Sequence, residues 1–304
     1  MSPTRPHRQC GAQQVNERLY ELDPKLRDRH ERIEAECRRS IEKGDAQRVW
    51  RKLITIQCVV HVVAKTVEEN ISDEQIESQI AVLNQDYRGT NPDRSTVPDP
   101  WSSLAADPNI AFALATKDPK GKATNGITRV QTTRDSFGTG DSVKTKAGGG
   151  TPPWPTDRYL NFWVCNLGEG LLGYAQFPGG PARTDGAVIL YTAFGTEGAA
   201  SEPFNRGRTA THEVGHWLNL RHIWGDTNDC SGSDQVSDTP RAQMPNYGTP
   251  DWPHISCNNG PNGDMFMNYM DYVDDAAMFM FTQGQAARMN ATLAGPRKKL
   301  AGLK

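Results

Sequence analysis

The chain has 304 residues, 36 % of them hydrophobic, with 34 basic and 36 acidic side chains for a formal net charge of −2. That is enough apolar material for a real core in one or two domains, and too little positive charge for nucleic acid or an acidic membrane to be the main partner. No run approaches the roughly 18 apolar residues of a bilayer span, and the opening Met1-Ser-Pro-Thr-Arg-Pro-His-Arg8 lacks the apolar centre of a signal peptide, which leaves export by another route or a trimmed signal open.

Residues 1–15 are polar and irregular, and from 16 to 43 Glu, Arg and Lys dominate. Apolar positions are sparse there (Leu19, Leu26, Ile33, Ile41), so one or two solvated helices broken near Pro24 are expected rather than a core. After Gly44 the character changes, and the β-branched run 53–63 reads as a buried strand. Ser72 followed by Gln75 is a capping-box signal for a helix to about Tyr87, with Ile76, Ile80 and Leu83 on one face. Strand-like runs follow at 110–116, 127–132, 159–165, 174–177 and 187–194, interrupted by a Gly-, Thr- and Pro-rich stretch at 137–155 that reads as a long surface loop. A helix over 209–220, a turn-rich segment over 221–265 and a last helix opened by Thr282 and Gln285 complete an α+β chain without internal repeats. Of the six cysteines, Cys58 and Cys165 sit in apolar runs and read as inert thiols, whereas Cys230 and Cys257 lie in loops that a disulfide would staple.

Residues 212–222 are His-Glu-Val-Gly-His-Trp-Leu-Asn-Leu-Arg-His. On a helix His212 and His216 share one face, a single turn of roughly 5.4 Å apart, so both imidazoles can reach one ion. His222 supplies a third ligand if the chain turns sharply at Asn219, and Asn is the non-glycine residue that best tolerates the left-handed conformation such a turn needs. Three histidines leave the fourth position of a zinc ion open, as catalysis requires, whereas structural zinc is closed by four ligands rich in cysteine. Glu213 stands beside the first histidine, placed to act as base on a zinc-activated water and then to protonate the leaving amine. The constellation therefore points to peptide hydrolysis. The alternative is a zinc-binding surface protein that has lost catalysis, against which the intact Glu213 argues; a small-molecule hydrolase is a more distant rival.

His-Glu-x-x-His-x-x-Asn-x-x-His has the spacing of the metzincin metallopeptidase signature. Together with the blocks at 267–275, 171–178 and 185–191, it resembles the pappalysin (cytophagalysin) family, and the ulilysin-like members most, over roughly residues 50–295. The resemblance implies a metzincin-type catalytic domain: a twisted mixed sheet and active-site helix in the N-terminal half, division near residue 222, and an irregular C-terminal half ending in a helix. It implies zinc on His212, His216 and His222, Met270 as the Met-turn floor beneath them, and Tyr272 as hydrogen-bond donor to the developing oxyanion. Gly170, Leu171, Leu172, Gly173 and Tyr174 would form the edge strand to which a polypeptide substrate adds antiparallel.

The resemblance further implies calcium in the loop after the third histidine, with Asp234 and Asp238 as oxygen ligands. It implies a Cys230–Cys257 disulfide, and lacks a second one because Ala277 stands where a cysteine is usual. Arg8-Gln-Cys10-Gly11 resembles a zymogen latch in which Cys10 takes the zinc's open position. Residues 1–52 would then be a propeptide and 53–304 the catalytic domain. A family-like preference for Arg or Lys after the cut would make Trp50-Arg51 or Arg51-Lys52 the activation bond, and Asp274 and Asp275 the acids that attract such a side chain. The protein so implied is secreted and monomeric, with polypeptide substrates.

Overall fold

A computed structural model of the chain describes residues 7–303. Its polar N-terminal stretch is helical: α1 (Ala12–Leu22), α2 (Lys25–Glu42) and α3 (Asp45–Trp50), with the expected break at Pro24 and a left-handed turn at Gly44 (φ 77°) before α3. Six strands follow, β1 (Ile54–Ala64), β2 (Ile110–Leu114), β3 (Ile127–Gln131), β4 (Leu160–Cys165), β5 (Gly173–Ala175) and β6 (Ala187–Leu190), in one sheet of order β2–β1–β4–β6–β5. β1 is long enough for two partners on one edge, pairing Ile54–Cys58 with β2 and Val60–Ala64 with β3. All pairings are parallel except that of β5, which runs antiparallel to β6 at the sheet edge.

Alternation along the strands sends Ile56, Val60, Phe162 and Ile189 to one face, where α4 (Asp73–Asp86) and α6 (Arg208–Trp217) cover them; a single turn, α5 (Asp99–Ser102), lies between α4 and β2. Val63, Trp163, Tyr174 and Val188 point to the other face. A parallel sheet needs cover on both faces, and here the arm helices help provide it. Leu19 and Leu26 pack on the outer face and Ile33 packs with Ala291, so the N-terminal helices are not simply solvated. For the same reason the segment 137–155 is more than a surface loop: Phe137, Val143 and Lys144 are buried against that face.

Two helix ends depart from simple expectation. Ser72 caps α4 by accepting from the Gln75 amide, but the Gln75 side chain reaches the carbonyls of Tyr191 and Phe194 instead of closing the box. α6 stops at Trp217 because the Leu220 amide turns back to the Gly215 carbonyl (2.9 Å), with Asn219 at φ 74°. Beyond it regular structure is confined to a two-residue pairing of β7 (Tyr247–Gly248) with β8 (Tyr272–Val273), short helical turns, and α7 (Gln283–Ala294), opened by a complete Thr282–Gln285 capping box. Cys230 and Cys257 form a disulfide, and Cys10, Cys37, Cys58 and Cys165 are free thiols. No described helix is long and apolar enough to cross a membrane.

Candidate active site

Every residue of α6 is buried. From it His212 and His216 project together, and the left-handed turn at Asn219 brings His222 to the same point. Their Nε2 atoms lie 3.1, 3.0 and 3.3 Å apart. Each Nδ1 faces an oxygen: Tyr269 O at 2.7 Å, Leu220 O at 2.9 Å and Asp226 Oδ1 at 2.5 Å. Those acceptors make Nδ1 the protonated nitrogen in each ring, so three bare Nε2 lone pairs converge. Burial, reinforced by the neighbouring rings, holds His212 well below the ordinary imidazole range and His216 down at about 3. Neutral lone pairs crowded in this way call for a cation. Ligands about 2.0–2.1 Å from a tetrahedral zinc would stand roughly 3.3 Å from one another, and the residues present fit it. Cys10 Sγ completes the cluster, all four ligand atoms lying within 4.8 Å of one another; among the described residues no other group of three or more His, Cys, Asp or Glu converges so.

The surroundings fix these rings. Trp224 stacks on His222 (centroids 4.4 Å apart, planes 7° from parallel). Met270 is fully buried beneath α6, so close that a Cβ on Gly215 would come 2.5 Å from its sulfur; the motif's glycine is what lets the methionine approach. Gly173 plays the same part on the other side, where a Cβ would come 2.9 Å from Glu213 Cγ. Glu213 accepts from the Cys10 thiol at 3.5 Å, and burial pushes its carboxyl up to about 8 against the opposing pull of that thiol and of Arg8. Tyr272 donates to the Cys10 carbonyl at 3.4 Å, its ring set against His222.

Two positioning carboxylates escaped the sequence reading. Asp226 orients His222, and its only sequence signal is its place four residues further on. Asp86 accepts from Thr211 Oγ1 (2.6 Å) and the Tyr269 hydroxyl (2.9 Å) and pairs with Arg208, which fixes the residue whose carbonyl holds His212. No local pattern marks that role.

The N-terminal arm lies on β5. The Leu172 amide donates to Gln9 O (3.0 Å), the Gly11 amide donates to Gly173 O (2.9 Å), and Cys10 bridges Gly173 in parallel. Two residues before Cys10, Arg8 enters a buried pocket. Its guanidinium donates to Asp275 Oδ1 (2.5 Å), Thr209 Oγ1 (3.0 Å) and Val273 O (3.2 Å), above the Phe204 ring. Asp275 thus meets a cationic side chain, while Asp274 is buried with its amide on Gly248 O.

Other expected site residues are used differently. Leu172 and Gly173 carry the edge hydrogen bonds, and Gly170 makes the positive-φ turn (75°) beside Gln9 that leads into them. Leu171 and Tyr174, however, turn to the outer face under the arm, where Lys144 sits over the Tyr174 ring at 4.9 Å; alternation along β5 accounts for Tyr174, while Leu171 lies before the strand begins. Asp238 lies at the start of α7, accepting from Thr282 Oγ1 and the Gly284 amide. Asp234 accepts from Thr239 Oγ1 and the Val236 amide, and its burial pushes it up to about 7.

A mixed sheet over an active-site helix, three histidines turned onto one point and a methionine beneath them define a metzincin-type metallopeptidase. The model of peptidase family M43, described as pregnancy-associated plasma protein-A, matches residues 150–294. An extracellular metalloprotease of Pyricularia oryzae is 32 % identical over 295 residues, covering 94 % of this chain and 88 % of the relative; one of Podospora anserina is 31 % identical over 93 % and 87 %. Mature mirolysin of Tannerella forsythia, solved with a cleaved peptide, superposes with a TM-score of 0.80 at 51 % identity, over 82 % of this chain and 96 % of that one. A promirolysin variant from the same organism gives 0.88 at 46 % identity, over 96 % and 97 %. The chain belongs to the M43, or pappalysin, family of metzincins, close to mirolysin in structure. It is a zinc metalloendopeptidase with a zymogen form, and its substrates are polypeptides.

Proposed function

We propose that residues 7–52 are the described part of a prosegment that keeps a secreted endopeptidase latent, and that the freed enzyme uses Glu213 as general base and prefers Arg or Lys after the cut. One observation carries this reading: Cys10 closes the cluster of three histidines while Arg8, on the same strand, fills a pocket built around Asp275.

His212, His216 and His222 would hold the zinc, which when bound lowers the pKa of a water and polarises the scissile carbonyl. Asp226 and the carbonyls of Tyr269 and Leu220 keep the three imidazoles in the ligating tautomer. Once Cys10 leaves, Glu213 is free to take the attacking proton and return it to the departing amine. The Tyr272 hydroxyl, released from the Cys10 carbonyl, donates to the substrate oxygen as it gains charge. Substrate adding to β5 through Leu172 N and Gly173 O in the antiparallel sense runs opposite to the arm, so its residue after the cut falls where Arg8 lies. Thr209, Val273 O, Phe204 and Asp275 then suit a guanidinium or ammonium.

Mature mirolysin matches 82 % of the chain and the pro-form 96 %, a difference of the order of the arm, which supports a boundary near the start of β1. Arg51 and Lys52 are exposed between α3 and β1, as an activation site requires. Relatives named extracellular metalloproteases support export. A calcium ion at Asp234 is supported by a buried carboxylate that has no ion pair among the described residues.

The test is incubation of the full chain with zinc and calcium, N-terminal sequencing of the product and a casein assay with and without chelator. A new N-terminus at Arg51 or Lys52 and chelator-sensitive cleavage are expected. Glu213→Ala should keep fold and zinc while activity drops by about 10³-fold or more; casein cleavage at the parental rate would sink the mechanism.

A further inference from the structure

We infer that Arg221, Arg288 and the Asn219 amide form a carboxylate-binding subsite for a substrate residue before the cut, filled in the latent molecule by Glu34 of the arm. The inference rests on the substrate direction proposed above.

Glu34 Oε1 accepts from Asn219 Nδ2 (3.3 Å), Arg221 Nη2 (3.4 Å) and, at a short distance, Arg288 Nη2. Arg288 does not depend on Glu34 for its place. Its Nε is fixed by the Asn219 carbonyl at 2.7 Å, so the catalytic body itself aims the guanidinium, from the turn that delivers His222. Its side chain is only 3 % exposed, and Glu34 is 14 % exposed. The Arg288 and Arg221 guanidinia hold Glu34 below the usual carboxylate range although burial pulls the other way.

The site adjoins the metal ligands. A cavity of about 70 Å³ has Tyr20 and Glu34 of the arm on one wall and His216, His222 and Arg221 on the other. α1, which supplies Tyr20, follows Gly11 on the arm. A substrate running the other way along β5 puts there the residues that precede its scissile bond. Asp226 also faces the cavity, but its Oδ1 is engaged by His222.

When the arm leaves, the wall and its carboxylate go together. Two guanidinia then face the cleft without their anion, an arrangement that rewards a new carboxylate. The arm thus offers a base to the body's acid at Asp275 and an acid to the body's bases at Arg221 and Arg288. A preferred substrate would repeat both charges, acidic before the cut and basic after it.

The test uses the full chain after its arm has been removed by activation. Paired peptides carry Arg after the cut and either Glu or Gln, moved through successive positions before it. At one position Glu should lower KM about 3- to 10-fold relative to Gln with kcat little changed, and Arg221→Gln should bring that ratio close to one. Equal KM for Glu and Gln at every position, as would follow if Arg221 swung to Asp226, overturns the subsite. So does a ratio that Arg221→Gln leaves unmoved. Cleavage of the Gln peptides reports separately on the peptidase reading, which stands even if the subsite falls.

Discussion

In the sheet body β4 buries all six of its side chains, and the apolar cluster between sheet, α4 and α6 continues into the C-terminal half. The arm meets this body on other terms. Val15, Leu19, Leu26, Ile33, Ala46 and Val49 supply apolar contacts along the helices, Gln9 and Gly11 bond to β5, and charges fix the arm at a few points: Arg8 on Asp275, Arg18 on Asp141, and Glu34 on Arg288 and Arg221. Apolar burial is spread over many atoms and survives the loss of any one. A buried ion pair is concentrated, and breaking one partner leaves the other uncompensated. On the proposed reading, the few concentrated pairs are the points at which the arm is released from the body.

Arg8→Ala gives the largest effect and tests this division directly. Leaving Asp275 without its buried partner should cost about 3–5 kcal/mol of arm docking, read as faster self-processing of the precursor on gels, with the melting temperature of the body unchanged. A body that melts earlier by a matching amount would show that arm and body are one cooperative unit.

His61 probes the body alone. It is buried on the outer sheet face, bonded to Thr128 Oγ1 and Asn161 Oδ1, and burial pushes it down to about 4. Above pH 6.5 the ring is neutral in both folded and unfolded chains and its stability contribution is whole. As the pH falls from 6.5 towards 4 the unfolded chain takes up a proton that the folded one refuses, and roughly 3 kcal/mol is lost. Denaturant titrations at pH 7 and pH 4 should show that loss in the parent and much less of it in His61→Gln; equal losses would remove His61 from the account.

The smallest change expected is in the metal's hold. Asp226→Asn should weaken zinc binding about 10- to 100-fold, measured by competition with a chromophoric chelator, because His222 loses the carboxylate that orients it. Unchanged affinity would mean that Trp224 stacking alone positions the ring.

Much of this was legible locally. The β-branched run of β1, the Thr282–Gln285 box and the histidine spacing each report a period or a cap set by neighbours in sequence. Asn219 was readable because a third histidine six residues after His216 forces a turn, and its φ of 74° is the outcome. What could not be read depends on distant partners. Gln75 looks like half of a capping box until the carbonyls of Tyr191 and Phe194 are packed beside it. Tyr174 was expected in the cleft, and only the register of β5 against β6 sends it to the outer face. Asp86 and Glu34 act across more than one hundred residues, on Thr211 and on Arg288, where no spacing rule reaches.

The arm's parallel course along β5 bears on how the enzyme could be blocked. Arg8 and Cys10 present their side chains to the pocket and the metal cluster while every amide bond is threaded backwards. A short peptide copying that order would take its selectivity from the arginine and its grip from the thiol, and its direction would protect it from the machinery it occupies. The difference between a ligand that is consumed and one that persists would then lie in the sense of the chain rather than in its composition.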